Sequence, residues 1–153
     1  MKRTDEGEAL TDLILETFRL NGALLAAGNN LTKPMGMTSA RWQVMGAIDE
    51  EGRPLTVAQI ARRMGLSRQG VQRIVTDLVG LGMLVLKTNL DHKRSPLVEI
   101  SESGAEVMRQ IADAQAAWVN ELASGLSERR IRGALKVLEA MRQQLEQGES
   151  VPE

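Results

Sequence analysis

Apolar residues recur at helical intervals over the first part of the chain. Leu10, Leu13, Ile14, Leu24 and Leu25 predict a helix over residues 8–28, with Asn29, Asn30 and Lys33-Pro34 as stop signals. Thr38 suits the cap of a second helix through Ile48, which carries Trp42, Met45 and Ile48 on one side. Glu51-Gly52-Arg53-Pro54 is a break. Thr56-Val57-Ala58-Gln59 matches a capping box and opens a short helix from Thr56 to Met64. Gly65-Leu66 makes a tight turn, Ser67 caps a second short helix from Arg68 to about Leu81, and Gly82 suits the position just beyond its end. Two short helices joined by a glycine-containing turn predict a helix-turn-helix.

The second of these helices divides cleanly on a helical wheel. At about 100° per residue, Val71, Ile74, Val75 and Leu78 share an apolar arc about 100° wide. Arg68, Gln69, Gln72, Arg73 and Thr76 occupy a nearly opposite arc about 140° wide, and Asp77 falls outside it. Arginine and glutamine are side chains that pair bidentately with guanine and adenine edges in the major groove. A polar outer face of an ordinary amphipathic helix is the alternative; the turn, the cap and the absence of acid on that face favour DNA. Gly70 and Gly80 each cost up to about 1 kcal/mol against alanine if they are interior to the helix.

Two short strands follow, Leu84–Thr88 and Pro96–Ile100, with a polar hairpin tip between them. A hairpin in this place is the wing of a winged helix. Its tip carries His92, Lys93 and Arg94, and an arginine on a projecting loop suits a narrow minor groove. The rest is helical. Ser103-Gly104-Ala105-Glu106 resembles a capping box for a helix to about Leu122, on which Val107, Ile111, Ala114 and Trp118 step by one helical turn. Ser127 suits the cap of a last helix. There Ile131, Leu138 and Leu145 repeat at heptad spacing, as do Ala134 and Met141, and Leu135 widens the seam. Long terminal helices of this kind pack within the chain or against a second copy.

Composition sharpens the picture by exclusion. The 153 residues suit one domain; 42% are apolar and 25% charged, enough for a core, but only 2% are aromatic. There is no cysteine and one histidine, which leaves little material for disulfides, thiol chemistry, a metal cluster or a histidine-based triad. Neither a paired histidine and nucleophile nor a phosphate loop is found, so an enzyme is not expected, and neither is a cofactor or metal. No apolar run suits a membrane span and no signal-like stretch follows Met1, so a cytoplasmic protein is expected. Net charge is −1, yet it is uneven. Residues 53–94 hold eight basic and two acidic residues, while both flanking segments are net acidic. A basic middle of this kind is expected where one lobe meets a polyanion; a solvated basic face is the alternative.

In this order the elements resemble the MarR family of bacterial transcription regulators, from about Glu8 to Gln147 and most sharply from Leu55 to Gly104. Leu55-Thr56-Val57-Ala58-Gln59-Ile60-Ala61 looks like the family's first motif helix, and Ser67-Arg68-Gln69-Gly70-Val71-Gln72-Arg73 like the start of its recognition helix. Asp91-His92-Lys93-Arg94-Ser95 with Val98-Glu99-Ile100-Ser101-Glu102-Ser103-Gly104 resembles its wing and the start of its next helix. The resemblance implies a mainly α, winged helix-turn-helix fold of about six helices with a two-stranded wing. It implies one domain over 1–153, with a DNA-binding core in 38–100 and dimerisation helices in 8–30 and 103–147. It further implies a homodimer on a pseudo-palindromic double-stranded operator, usually a repressor, released by a small aromatic or anionic effector. By that analogy Arg94 is the wing arginine, oriented by Asp91. Trp42, with Met45 on the same helix, lies near the effector cleft. The family's thiol sensors need a cysteine and its zinc sensors a histidine- and acid-rich cluster, and this sequence suits neither.

These readings set the expected roles. Arg68, Gln69, Gln72 and Arg73 read bases, with Thr76 on the same face. Thr38, Ser67 and Lys93 contact phosphate, and Arg94 enters the minor groove with His92 beside it. The rival of another class is a winged helix used as a protein-docking module, which salt dependence separates from DNA binding.

Overall fold

Helix α1 spans Asp5–Thr32 in the computed structural model, which describes residues 2–148. The Thr4 hydroxyl accepts from the Gly7 N–H at 3.1 Å, and Asp5, Glu6 and Glu8 complement the helix dipole in the first turn. Backbone N–H donation, helped by the Thr4 side chain, holds the Glu6 carboxyl below the usual carboxylate range. The helix runs past the expected stop at Asn29-Asn30. Asn29 does not end it; its Oδ1 accepts from the Ser39 N–H at 2.8 Å and so joins this helix to the next. The ending comes at a short 3-10 turn, Lys33–Met35, with Pro34 inside it and Gly36 left-handed after it.

Helix α2, Ser39–Glu51, is capped by Thr38, whose hydroxyl accepts from the Arg41 N–H at 3.2 Å. It continues beyond Ile48 because its stop is Gly52, at φ 67°. Where α1 meets α2, Gly28 leaves room for Ser39, whose Oγ donates to the Leu25 carbonyl at 2.7 Å.

The helix-turn-helix forms as its caps predict. In α3, Val57–Met64, the Thr56 hydroxyl accepts from the Gln59 N–H and the Gln59 side chain accepts from the Thr56 N–H. Gly65, at φ 62°, turns the chain. In α4, Arg68–Gly80, the Ser67 hydroxyl accepts from the Gly70 N–H at 3.0 Å. Gly70 therefore lies in the first turn and Gly80 is the last helical residue, so neither interrupts the helix interior. Gly82, at φ 73°, follows the end, and the Met83 N–H returns to the Leu78 carbonyl.

The wing strands are β2, Leu84–Lys87, and β3, Leu97–Ile100, paired antiparallel with Leu84 opposite Ile100 and Lys87 opposite Leu97. The sheet has a third strand beyond the expected two. Leu55–Thr56, labelled β1, pairs with the outer side of β3, giving the order β1-β3-β2. Helix α5, Glu102–Leu122, begins one step earlier than its expected cap. The Ser101 hydroxyl, not that of Ser103, accepts from the Gly104 N–H at 3.1 Å. Helix α6, Glu128–Gly148, starts after Ser127, which accepts from the Arg130 N–H at 3.4 Å.

The chain divides into two compact units, the first reaching to Gln115 and the second starting at Ala116. The first contains the core. Val44, Met45 and Ile48 of α2, Ile60 of α3 and Val71, Val75 and Leu78 of α4 are buried together with Leu55, Leu84, Val98 and Ile111. In the second unit α6 has no buried residue, and Ile131, Leu135, Leu138 and Leu145 are exposed. Among the described residues no helix is long and apolar enough to cross a membrane.

Candidate nucleic-acid interface

Packing of α4 fixes which of its sides faces outward. Val71, Val75 and Leu78 are buried and Ile74 partly so, which spends the apolar arc on the core. Arg68, Gln69, Gln72, Arg73 and Thr76 are all exposed, so the structure brings these five expected residues together on one free helix face. Asp77 stands apart from them. Its carboxylate pairs at 3.9 Å with Arg41 of α2, which also donates to the Gly36 carbonyl. The acid of α4 is thereby drawn toward α2.

Within that face Thr76 differs from its neighbours. Its hydroxyl donates to the Gln72 carbonyl at 2.8 Å, one turn back. The proton is spent on the helix backbone, and the hydroxyl oxygen accepts from the Gln72 Nε2 at 3.4 Å, so Thr76 is engaged by Gln72 twice. Thr38 and Ser67 have the reverse disposition. Each hydroxyl oxygen accepts an N–H of its own helix, so its proton remains for a partner outside. Both stand at helix N-termini, where backbone N–H groups and the helix dipole favour an anion.

The positive charge of residues 53–94 is sorted by the fold. Glu51 holds Arg53 and Arg63, and Glu50 also approaches Arg63; Lys87 pairs with Glu99 across the wing strands at 3.4 Å. Among the described residues, Arg62, Arg68, Arg73, Lys93 and Arg94 form no ion pair. Within residues 53–94 the uncommitted cations thus lie on the two motif helices and the wing tip. Arg62 is exposed on α3, outside the polar face that the sequence pattern of α4 predicts.

At the wing tip Asp91, His92, Lys93 and Arg94 are all exposed. Asp91 and Arg94 make no ion pair among the described residues, so the expected orientation of one by the other is absent from this structure. The tip is organised by Asn89, which is nearly buried. Its Nδ2 donates to the Ser95 carbonyl at 2.8 Å and its Oδ1 accepts from the Asp91 N–H at 3.1 Å. Sequence reading missed this residue, although an asparagine whose side chain accepts from the backbone N–H two residues on is a known turn signal.

The two residues expected at an effector cleft part company. Trp42 is half-buried and packs against the core, with its ring near Gly28. Met45 is completely buried in that core and presents no surface to a ligand in this conformation. No group of metal-ligating side chains exists among the described residues.

The MarR family pattern matches residues 35–95, which takes in α2, the helix-turn-helix and the wing tip. An uncharacterized protein of Mycobacterium tuberculosis, Rv2011c, is 38% identical over 119 residues, covering 78% of this chain and 82% of that protein. AbsC, a MarR family transcriptional regulator from Streptomyces coelicolor, superimposes with a TM-score of 0.76 at 19% identity, covering 95% of this chain and 98% of its own. CouR from Rhodococcus jostii RHA1, solved bound to p-coumaroyl-CoA, gives 0.76 at 19% identity, covering 85% and 91%. The chain belongs to the MarR family of winged-helix transcription regulators.

Proposed function

We propose that this chain is a homodimeric, sequence-specific DNA-binding repressor that a small effector releases from a pseudo-palindromic operator. The observation that carries the reading is the exposed face of α4, whose arginines and glutamines are free of acidic partners while its other side is held by the core. In this reading Arg68, Gln69, Gln72 and Arg73 meet base edges in the major groove. Thr38, Ser67 and Lys93 hold phosphate, and Arg94 with His92 enters the adjoining minor groove.

Dimerisation is supported by what the terminal helices leave uncovered. Leu10, Ile14, Leu15, Phe18 and Leu24 of α1 are exposed, as are Leu122 of α5 and Ile131, Leu135, Leu138 and Leu145 of α6. Apolar rows of this length on regular helices suit burial against a second copy. Two-fold symmetry also joins two modest half-sites into one strong site. An aromatic or anionic effector is supported by the aromatic coenzyme A thioester bound to CouR and by the half-buried ring of Trp42. Such a ligand acts by preferring a spacing of the recognition helices that the operator does not, with about 1–3 kcal/mol of coupling.

The test is equilibrium binding to duplex DNA over a salt series, with the mass of the free and bound protein followed by sedimentation. A dimer whose affinity falls steeply with salt is expected. Salt-insensitive binding to DNA, or a monomer bound to a single half-site, contradicts the reading.

A further inference from the structure

We propose that Leu90 is an apolar DNA contact of the wing, lying against the deoxyribose walls of the minor groove beside Arg94. The inference rests on the DNA-binding reading above and adds to it a contact of a different chemical kind.

Leu90 is 91% exposed, more than any other large hydrophobic residue described. Half-covered leucines scattered over a surface are ordinary. Leu90 differs in two respects. First, the backbone on both sides of it is fixed. Asn89, itself 8% exposed, holds the Ser95 carbonyl and the Asp91 N–H, and the Ser95 N–H closes the tip onto the His92 carbonyl at 2.9 Å. A loose tip would let a leucine fold back onto the protein; this one holds it out.

Second, its surroundings select the partner. Lys93 and Arg94 carry positive charge without an ion-pair partner, and Asp91 is the one acid of the tip. A polyanion is what that charge favours, rather than an apolar protein surface. The apolar part of a duplex within reach of a hairpin tip is the sugar lining of the minor groove. Proteins that enter that groove combine basic side chains with apolar ones, leucine among them, although those wedges commonly go between base steps and the contact proposed here is with the groove wall. Leucine neutralises no phosphate, so its share of the affinity does not depend on salt.

The experiment uses the full chain and a duplex selected by the wild-type protein from a random library. Leu90→Ala is expected to weaken binding about tenfold with an unchanged slope of log Kd against log salt. Leu90→Ile keeps affinity within about threefold. Because the side chain is almost fully exposed, the melting temperature stays at the wild-type value in both. Lys93→Ala is the contrast: it lowers the salt slope by about one. Wild-type affinity of Leu90→Ala at every salt concentration overturns the inference and leaves the DNA-binding reading standing. A changed salt slope in Leu90→Ala also overturns it, since the tip has then moved as a whole. A wild-type protein that retains no duplex overturns both.

Discussion

The Cα of Gly104 packs so closely on the chain at Met83 that a methyl group there would lie 2.1 Å from the Met83 carbonyl oxygen. The same carbonyl accepts from the Ser101 N–H at 3.0 Å, while the Ser101 and Ser103 hydroxyls both donate to the Gly82 carbonyl. The end of α4, the start of the wing and the first turn of α5 are thus fastened at one point. A backbone atom cannot step aside as a flexible side chain can. Gly104→Ala is therefore expected to destabilise the fold by about 3 kcal/mol, despite the gain in helix propensity. Thermal unfolding checks it: a melting temperature lower by roughly 6–12 °C is expected.

Ser67 holds two roles that substitution separates. Ser67→Ala loses the cap of α4 and about 1 kcal/mol of stability, and also weakens binding to every duplex alike. Ser67→Asp keeps a good cap but sets a negative charge against phosphate. Its melting temperature should match wild type while its DNA affinity falls at least tenfold. Thermal unfolding paired with anisotropy titration reads both quantities.

On the exposed face of α4, Gln72 and Thr76 should respond differently. Gln72→Ala is expected to cost about 1–3 kcal/mol on cognate DNA and to relax preference at one base position. Thr76 spends its hydroxyl proton on the Gln72 carbonyl, so it has no donor for a base. Thr76→Val should keep affinity within about twofold. Parallel titrations on the cognate duplex and on single-base variants distinguish the two.

At the wing, Asn89 should matter more than Asp91. Asn89→Ala removes two hydrogen bonds from a nearly buried side chain and frees the tip that carries Lys93 and Arg94. A loss of about 1–2 kcal/mol in DNA affinity is expected. Asp91→Asn removes a negative charge and no ion pair, so affinity should hold or rise. Salt-controlled titration of the two variants checks the order.

Local signals carried most of this fold. Thr38, Thr56, Ser67 and Ser127 act at the helix starts where the sequence places them, because a hydroxyl before a helical run has one obvious N–H to accept. The wheel of α4 was legible because burial and hydrogen bonding want opposite residue types. What escaped was set by contacts distant in sequence. Asn29 reads as a stop until Ser39 arrives to use its carbonyl oxygen. β1 is two residues long, too short for any alternation, and exists through its pairing with β3. Ser101 and Ser103 both suit a cap, and both hydroxyls reach the Gly82 carbonyl; only that of Ser101 also accepts from the Gly104 N–H. Met45 shares a helix side with Trp42, yet only packing reveals that one is fully covered and the other is not.

The central claim is that the face of α4 reads sequence, twice, as a dimer. The most direct measurement is selection of the full-length chain on a random duplex library, sequenced after rounds at low and physiological salt. An enriched inverted repeat is expected, its half-sites one helical turn, roughly 34–36 Å, or a multiple of it apart. Salt-sensitive retention with no enriched motif would contradict it, leaving a basic surface that holds DNA without reading it.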